Sequence, residues 1–203
     1  MGVMTVKYLV GVDEAGRGPL AGPVSVGVVV APLTFKMVFK KYAVKDSKKL
    51  SEKNREEWYL WLSKERRLGK INFATALISS DFIDKKGIVP AVKLGIKKCL
   101  KRLDLNPAEC QVLLDGSLKA PAQFKNQQTI IKGDEREPII ALASIAAKVR
   151  RDKQMVKLAQ IYPSYKFEIH KGYGTKAHYA ALKKYGPSLI HRRTFLKTLD
   201  LYR

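Results

Sequence analysis

Four acidic residues stand at the ends of apolar segments, and they are the best candidates for catalysis in this chain. They are Asp13, Glu14, Asp115 and Asp134. Ligand sites in open α/β sheets lie beyond strand ends, so we expect these side chains to converge if their strands are neighbours. Four carboxylates at one place repel one another unless a divalent cation joins them or their pKa values rise. Carboxylate oxygens suit Mg²⁺ or Mn²⁺, and two such ions about 3.5–4 Å apart can promote phosphodiester hydrolysis.

A glycine-rich loop, defined here as residues 16–23, follows the first two acids. It reads Gly16-Arg17-Gly18-Pro19-Leu20-Ala21-Gly22-Pro23. Glycine lets the backbone approach a ligand closely, and proline fixes a turn. Arg17 offers a charged fork with backbone amides beside it, which suits a phosphate. A solvated turn after an edge strand is the alternative, and the paired acids with the arginine favour a binding site.

The adjacency of Asp13 and Glu14 poses a geometric problem, because neighbours on a regular strand point to opposite faces of the sheet. Both side chains therefore cannot reach one ion from an ideal strand. Either the strand breaks at Glu14, which Gly16 would make easy, or Glu14 contributes partly through its backbone carbonyl.

The charge balance predicts a polyanionic partner. Lys and Arg number 39 against 18 Asp and Glu, for a net charge of +21. Residues 148–203 carry 14 Lys or Arg against 3 Asp or Glu, a net charge of +11. Nucleic acid is the commonest polyanion in a cytosol. Solvated lysine faces are one alternative, and an anionic membrane surface is a weaker one because no lipidation signal or strongly amphipathic helix accompanies the charge.

The remaining composition predicts a cytoplasmic protein that folds around one core. Its 203 residues suffice for one sizeable core and are marginal for two, and hydrophobic residues make up 46%. The longest apolar run, residues 24–31, is far too short to span a bilayer, and no signal peptide is apparent. Cys99 and Cys110 are too few for a disulfide framework and are expected to be reduced core residues.

Hydrophobic periodicity predicts an α/β layered fold with a mixed sheet. The predicted strands are 6–12, 24–31, 71–78, 112–114 and 128–131. The predicted helices are 51–68, a short one capped by Ser79 or Ser80, 90–103, 138–162, 175–185 and 193–200. We expect a single domain over 1–203, in which 160–203 form a basic helical part.

Four motifs, in order, resemble those of the type 2 ribonucleases H, specifically the ribonuclease HII family. They are Gly11-Val12-Asp13-Glu14-Ala15-Gly16-Arg17-Gly18-Pro19-Leu20-Ala21-Gly22-Pro23-Val24, Asp46-Ser47-Lys48-Lys49-Leu50, Ala143-Ser144-Ile145-Ala146-Ala147-Lys148-Val149-Arg150-Arg151-Asp152 and His170-Lys171-Gly172-Tyr173-Gly174-Thr175-Lys176-Ala177-His178. The resemblance covers nearly the whole chain. It implies a ribonuclease H-like mixed sheet flanked by helices, with a helical C-terminal extension.

The resemblance also implies roles for individual residues. The four acids match the acidic positions of the family, although Asp152 rivals Asp134 for the fourth place and is more simply an ion-pair partner of Arg150 and Arg151. The Gly16-Arg17-Gly18 backbone would sense the 2′-hydroxyl that distinguishes RNA from DNA, and Tyr173 would lie against the sugar at the RNA–DNA junction. The plausible phosphate contacts are Lys48, Lys49, Lys148 and Lys171, of which Lys48 and Lys148 lie on family motifs.

A metal-dependent endoribonuclease is the function that these features favour. It would act as a monomer on the RNA strand of RNA–DNA hybrids and 5′ of a single ribonucleotide in duplex DNA, leaving 5′-phosphate and 3′-hydroxyl ends. The rival is a non-catalytic nucleic-acid-binding protein, which would need the charge but not the acids. His170, His178 and His191 receive no catalytic role, since such residues more often pack or bind phosphate.

Overall fold

A computed structural model describes residues 6–35 and 50–196 of the chain, and its centre is a mixed five-stranded sheet. The strands are β1 (Tyr8–Ala15), β2 (Val24–Pro32), β3 (Asn72–Ile78), β4 (Cys110–Asp115) and β5 (Gln127–Ile130). Their spatial order is β3-β2-β1-β4-β5. The β1–β2 and β2–β3 pairs are antiparallel, whereas β1–β4 and β4–β5 are parallel. The predicted mixed sheet is confirmed, with β1 at its centre.

Helices flank the sheet on both faces. They are α1 (Glu52–Arg67), α2 (Ser80–Lys86), α3 (Ile88–Leu103), α4 (Gly133–Arg136), α5 (Pro138–Ile161), α6 (Phe167–His170), α7 (Lys176–Tyr185) and α8 (Arg193–Leu196). Short 3₁₀ turns lie at Leu33–Phe35, Pro107–Glu109 and Pro163–Tyr165. Ser51 caps α1 as predicted, and Ser79 caps α2 by accepting from the Phe82 amide. Among the described helices, none has the length and apolarity needed to cross a bilayer.

The alternation of β1 divides the apolar residues between two cores. Val10 and Val12 face α3 and pack with Ile96, whereas Leu9 faces α5 and packs with Ile139. Both cysteines are buried and free, as predicted, and burial raises the pKa of Cys99 to about 12.

Two glycines let α5 lie directly on the sheet. A Cβ atom on Gly11 would come within 2.2 Å of the Ile139 carbonyl oxygen, and one on Gly27 within 2.2 Å of the Ala143 carbonyl oxygen. Any side chain at either position would therefore push the helix away from β1 and β2. This close approach fixes the distance between β1 and the residues of α5 near the end of the sheet that carries Asp13 and Asp115.

A third apolar cluster joins the C-terminal helices to the glycine-rich loop. Leu20 and Ala21 of the loop pack with Met155 of α5, Phe167 of α6 and Leu182 of α7. Backbone hydrogen bonds reinforce this contact, from the Leu20 amide to the Gly172 carbonyl and from the Gly22 amide to the Ile190 carbonyl, each 2.8 Å long. The loop is thus shared between the sheet and the helical C-terminal part.

Candidate active site

Asp13 and Asp115 occupy equivalent positions on neighbouring parallel strands. In the β1–β4 register Val12 pairs with Leu114, so the next residue on each strand is one of these acids. Their side chains share the sheet face that α5 covers, because side chains alternate along a strand and Leu9 and Leu113 face α5. The predicted meeting of strand-end acids therefore holds for this pair.

Glu14 follows Asp13 on a strand that does not break. Strand β1 continues through Glu14 to Ala15, paired in register with β2, so of the two alternatives the break at Glu14 is wrong. The chain turns only at Gly16, whose φ is +90°. The Glu14 side chain therefore belongs to the opposite face from Asp13, where Oε1 accepts a hydrogen bond from Arg17 at 3.1 Å.

These three acids line one cavity of about 400 Å³ at the end of the sheet. Its wall combines acidic, basic, hydroxyl and backbone groups. The lining residues are Asp13, Glu14, Ala15, Gly16, Arg17, Gly18, Arg55, Asp115, Ser144, Lys148 and Tyr173. Arg55 and Ser144 were not among the predicted site residues. Ser144 lies within a predicted motif, and Arg55 follows the cap of α1, where its guanidinium donates to the Leu50 carbonyl.

Burial strongly perturbs the carboxyl group of Asp13, which is 3% exposed. Desolvation raises the pKa of Asp13 well above its ordinary value, and the nearby charges of Glu14 and then Asp115 raise it further. Hydrogen bonds from the Ser144 hydroxyl and the Glu14 amide oppose this rise, and the amide lies 2.7 Å from Oδ1. A divalent cation beside these acids would favour the ionised form.

The donor set fits a hard cation in its chemistry, although it does not form a closed cage. Within residues 6–35 and 50–196, no three acidic, histidine or cysteine side chains lie close enough to surround one ion. Mg²⁺ is commonly held by one or two carboxylates, with waters and substrate phosphates as the other ligands. Asp13 and Asp115 on one wall, with Glu14 beside them, meet that requirement.

Asp134 lies behind this wall. It is fully buried in the one-turn helix α4 and does not line the cavity. Its neighbour Gly133 donates its amide to Oδ1 of Asp115 at 2.7 Å, so α4 is bonded directly to a cavity acid. The rival Asp152 forms an ion pair with Lys148 at 2.9 Å. Its charge also acts on Arg151, but the expected direct ion pairs with Arg150 and Arg151 are absent among the described residues.

Two fully buried arginines hold the glycine-rich loop from beneath, and the sequence reasoning missed both roles. Arg151 of α5 donates to the carbonyls of Pro23, Ala21 and Lys171 at 2.9–3.2 Å. Arg192, just before α8, donates to three further loop carbonyls. A single sequence does not distinguish such arginines from solvated ones, although Arg151 lies within one of the four motifs.

Tyr173 projects into the cavity, as predicted, and is 43% exposed. Its ring lies 5.9 Å from Lys148 Nζ and 5.8 Å from the guanidinium carbon of Arg151. Lys148 therefore lies at the cavity, while Lys171 does not line it. Lys171 Nζ donates to the Glu168 carbonyl at 2.6 Å. Lys48 and Lys49 lie outside the described residues.

The three histidines pack beneath Tyr173. His178 Nδ1 bonds the Tyr173 carbonyl at 2.9 Å, and its Nε2 lies 2.9 Å from His191 Nε2. His191 Nδ1 in turn accepts the Ser188 amide at 2.9 Å. This chain of bonds requires neutral rings, and burial lowers the pKa of both His178 and His191 to about 4. His170 is also buried and accepts the Gly172 amide.

Comparison with known proteins gives a consistent result. Residues 10–198 match the family model for Ribonuclease HII. The Ribonuclease HII of Caldicellulosiruptor bescii is 46% identical over 193 residues, covering 95% of this chain and 88% of the relative. The ribonuclease H2 structure from Pyrococcus horikoshii OT3 aligns with a TM-score of 0.69 and 26% identity, covering 92% of this chain and 93% of that one. Bst-RNase HIII in complex with Mn²⁺ aligns with a TM-score of 0.62 and 15% identity, covering 90% and 64%.

Proposed function

This chain belongs to the ribonuclease HII family and is thus a ribonuclease H acting on RNA–DNA hybrids, and we propose that it also cuts at single ribonucleotides embedded in duplex DNA. The cut falls 5′ of the ribonucleotide and leaves 5′-phosphate and 3′-hydroxyl ends. The observation that carries the proposal is one cavity in which Asp13 and Asp115 face the Gly16-Arg17-Gly18 backbone and Tyr173.

The acids of the cavity are proposed to hold Mg²⁺ or Mn²⁺, two ions during catalysis. Asp13, Glu14 and Asp115 supply the ligands that line the cavity, and Asp134 is the fourth acid behind them. Ions held by Asp13, Glu14 and Asp115 would supply Lewis acidity for activating water and stabilising the leaving oxygen. The Mn²⁺ complex of Bst-RNase HIII supports this assignment by likeness of fold.

The other cavity residues orient the substrate. The amides of Arg17 and Gly18 are available for the 2′-hydroxyl and an adjacent phosphate. The bond to the 2′-hydroxyl would be lost on a deoxyribonucleotide, whereas the bond to the phosphate would remain. The half-exposed Tyr173 ring offers a flat apolar surface for the sugar or base beside the cut. Lys148 and the net charge of +21 attract the phosphate backbone.

The same proposal extends to the setting in which the enzyme works. Its partner is nucleic acid, either a hybrid or a ribonucleotide-containing DNA duplex, and the active species is a monomer in the cytoplasm.

Cleavage of a labelled DNA duplex containing one ribonucleotide tests the proposal. With Mg²⁺ or Mn²⁺ we expect one cut 5′ of the ribonucleotide, no cut in the all-DNA duplex, and no cut in EDTA. Asp81→Asn is the matched control for Asp13→Asn, since Asp81 is exposed on α2 and pairs only with Lys85 within the described residues. Cleavage of a hybrid without any cut at the single ribonucleotide would refute the proposed specificity.

A further inference from the structure

The guanidinium of Arg192 is bonded to the part of the glycine-rich loop that borders the cavity. Nη2 donates to the Gly16 carbonyl and Nη1 to the Arg17 carbonyl, both at 2.7 Å, and Nε donates to the Gly22 carbonyl at 3.0 Å. The side chain is completely buried. All three donor nitrogens of one rigid, planar group are therefore used to fix one loop.

The planarity of the peptide bond relates these contacts to the cavity. In a trans peptide the C=O and N–H bonds point in opposite directions. Because the Gly16 and Arg17 carbonyls point at the buried guanidinium, the Arg17 and Gly18 amides point away from it. Both residues line the cavity, and within the described part of the chain neither amide donates to a protein acceptor.

The positive charge of Arg192 also acts on these two peptides. Among the described residues no carboxylate lies in ion-pair contact with its guanidinium, so the loop carbonyls are its hydrogen-bond partners. Burial, and then the neighbouring Arg151, lower the pKa of Arg192 to about 9, which leaves it charged at neutral pH. A carbonyl that accepts from a cation makes the N–H of the same peptide a stronger donor.

The backbone around Arg192 is held at both sides. Its amide donates to the Leu20 carbonyl at 2.8 Å. Asp84 of α2 accepts the amides of Arg193 and Thr194 at 2.7 and 3.0 Å, and the Thr194 hydroxyl at 2.7 Å. Asp84 thereby anchors the start of α8 outside the cavity and directs Arg192 inward.

We propose that Arg192 is a positioning residue that aims the Arg17 and Gly18 amides at the ribonucleotide and so sets the preference for ribonucleotide over deoxyribonucleotide. The inference rests on the proposed function and adds the C-terminal segment to the residues that control selectivity. Arg192 acts through the loop and does not itself contact the substrate.

The test compares affinities for two duplexes of the same sequence, one all-DNA and one with a single ribonucleotide. Binding is measured with Mg²⁺ in the Asp13→Asn background so that turnover does not interfere. Arg192→Lys keeps the charge but supplies one donor group in place of a fork. We expect the ribonucleotide preference to fall about tenfold, the effect of losing one well-aligned hydrogen bond, while affinity for the all-DNA duplex stays within about twofold because phosphate contacts remain.

Two controls separate positioning from a purely structural role. Leu196→Ala removes a buried side chain from α8 without touching the loop carbonyls, and Arg102→Lys changes an arginine that donates to the Thr75 carbonyl away from the cavity. Either control is expected to leave the preference unchanged. If Arg192 had only a structural role, its replacement would weaken binding of both duplexes by the same factor, in proportion to the loss of folded protein. That result would overturn the proposal.

Two further variants keep the proposal testable if Arg192→Lys does not fold. Asp84→Ala releases the anchor of α8 and is expected to lower the preference in the same direction, by a smaller factor. In Arg192→Ala, added methylguanidinium is expected to restore the preference, whereas NaCl at equal ionic strength does not. An unchanged preference in Asp84→Ala would contradict the inference. Wild-type protein that fails to cut the single-ribonucleotide duplex would instead refute the proposed function.

Discussion

Replacing Asp13 by asparagine is expected to abolish cleavage and, at neutral pH without metal, to stabilise the fold. The substitution retains the size of the side chain and an oxygen that can accept the Glu14 amide, which lies 2.7 Å from Oδ1 in the native protein. It removes a carboxylate that is 3% exposed and lies near the charges of Glu14 and Asp115. The proposed metal site loses a hard anionic ligand at the same time, so turnover should fall by orders of magnitude.

The sign of the stability change follows from the pKa of Asp13. Burial, then Glu14 and Asp115, raise this pKa in the folded protein, whereas the unfolded chain has the ordinary value of 3.8. As the pH rises above 3.8, the unfolded state releases the proton first, and the folded state loses stability until its own pKa is passed. Asparagine carries no such penalty, so the stability advantage of the variant should appear above pH 3.8 and grow with pH.

Each pKa unit by which the folded value exceeds 3.8 costs the wild-type protein about 1.4 kcal/mol of unfolding free energy once both states are ionised. In a chain of this size, each kcal/mol shifts the midpoint of thermal unfolding by roughly 2–4 °C. Calorimetry in EDTA between pH 4 and pH 8 measures the difference, with Asp81→Asn as the control. Adding Mg²⁺ or Mn²⁺ should raise the wild-type midpoint more than that of the variant, because only a protein that binds the ion gains stability from it. A lower midpoint for Asp13→Asn in EDTA at pH 7 would refute the reasoning.

Three other outcomes are expected from the geometry. Gly11→Ala places a methyl group 2.2 Å from the Ile139 carbonyl oxygen and would push α5 outward by roughly 1 Å. It should therefore lower the free energy of unfolding by about 1–3 kcal/mol and the activity by up to ~100-fold. Gly18→Ala is the stability control, because its added methyl group would meet no atom within 4 Å. Tyr173→Ala should weaken cleavage at a lone ribonucleotide by the roughly 1–3 kcal/mol of one aromatic stack and leave all-DNA binding nearly unchanged; equal losses in both would make Tyr173 a structural residue. The logarithm of the binding constant should fall linearly with that of the salt concentration, with a slope equivalent to several phosphates, and a flat line would exclude the basic surface as the binding surface.

The sheet and two of its acids could be predicted because strand periodicity and chain order constrain them strongly. The apolar runs before Asp13 and Asp115 identify central strands, and equal positions on parallel neighbours place both carboxyl groups on one face. The orientation of the Glu14 side chain was harder to predict. The sequence shows that Gly16 allows a turn, but it does not show how far the pairing with β2 extends β1. That pairing continues to Ala15 and Ser25, and it keeps the strand intact through Glu14.

The supports of the loop lay beyond prediction for a different reason. Arg151 and Arg192 are separated from the carbonyls of the glycine-rich loop that they hold by 128 to 176 residues, and nothing in their local sequence marks a buried guanidinium. Asp134 was expected beside a strand end with the other acids. It lies instead in the one-turn helix α4 and is fully buried. Long-range contacts of this kind depend on tertiary packing, which a single sequence does not contain.

The glycine-rich loop is shared between the sheet and the C-terminal helices, so the geometry of the proposed active site depends on those helices. The acids belong to strands whose positions are set by the sheet and by α5, whereas the loop amides depend on Arg192 and the Tyr173 turn depends on the buried histidines. A displacement of the C-terminal part would therefore move the groups proposed to contact the substrate while leaving Asp13 and Asp115 in place. Under the proposed function, the chemistry of hydrolysis is thus separated from the recognition of the sugar, and the two meet at Gly16, the first residue after β1.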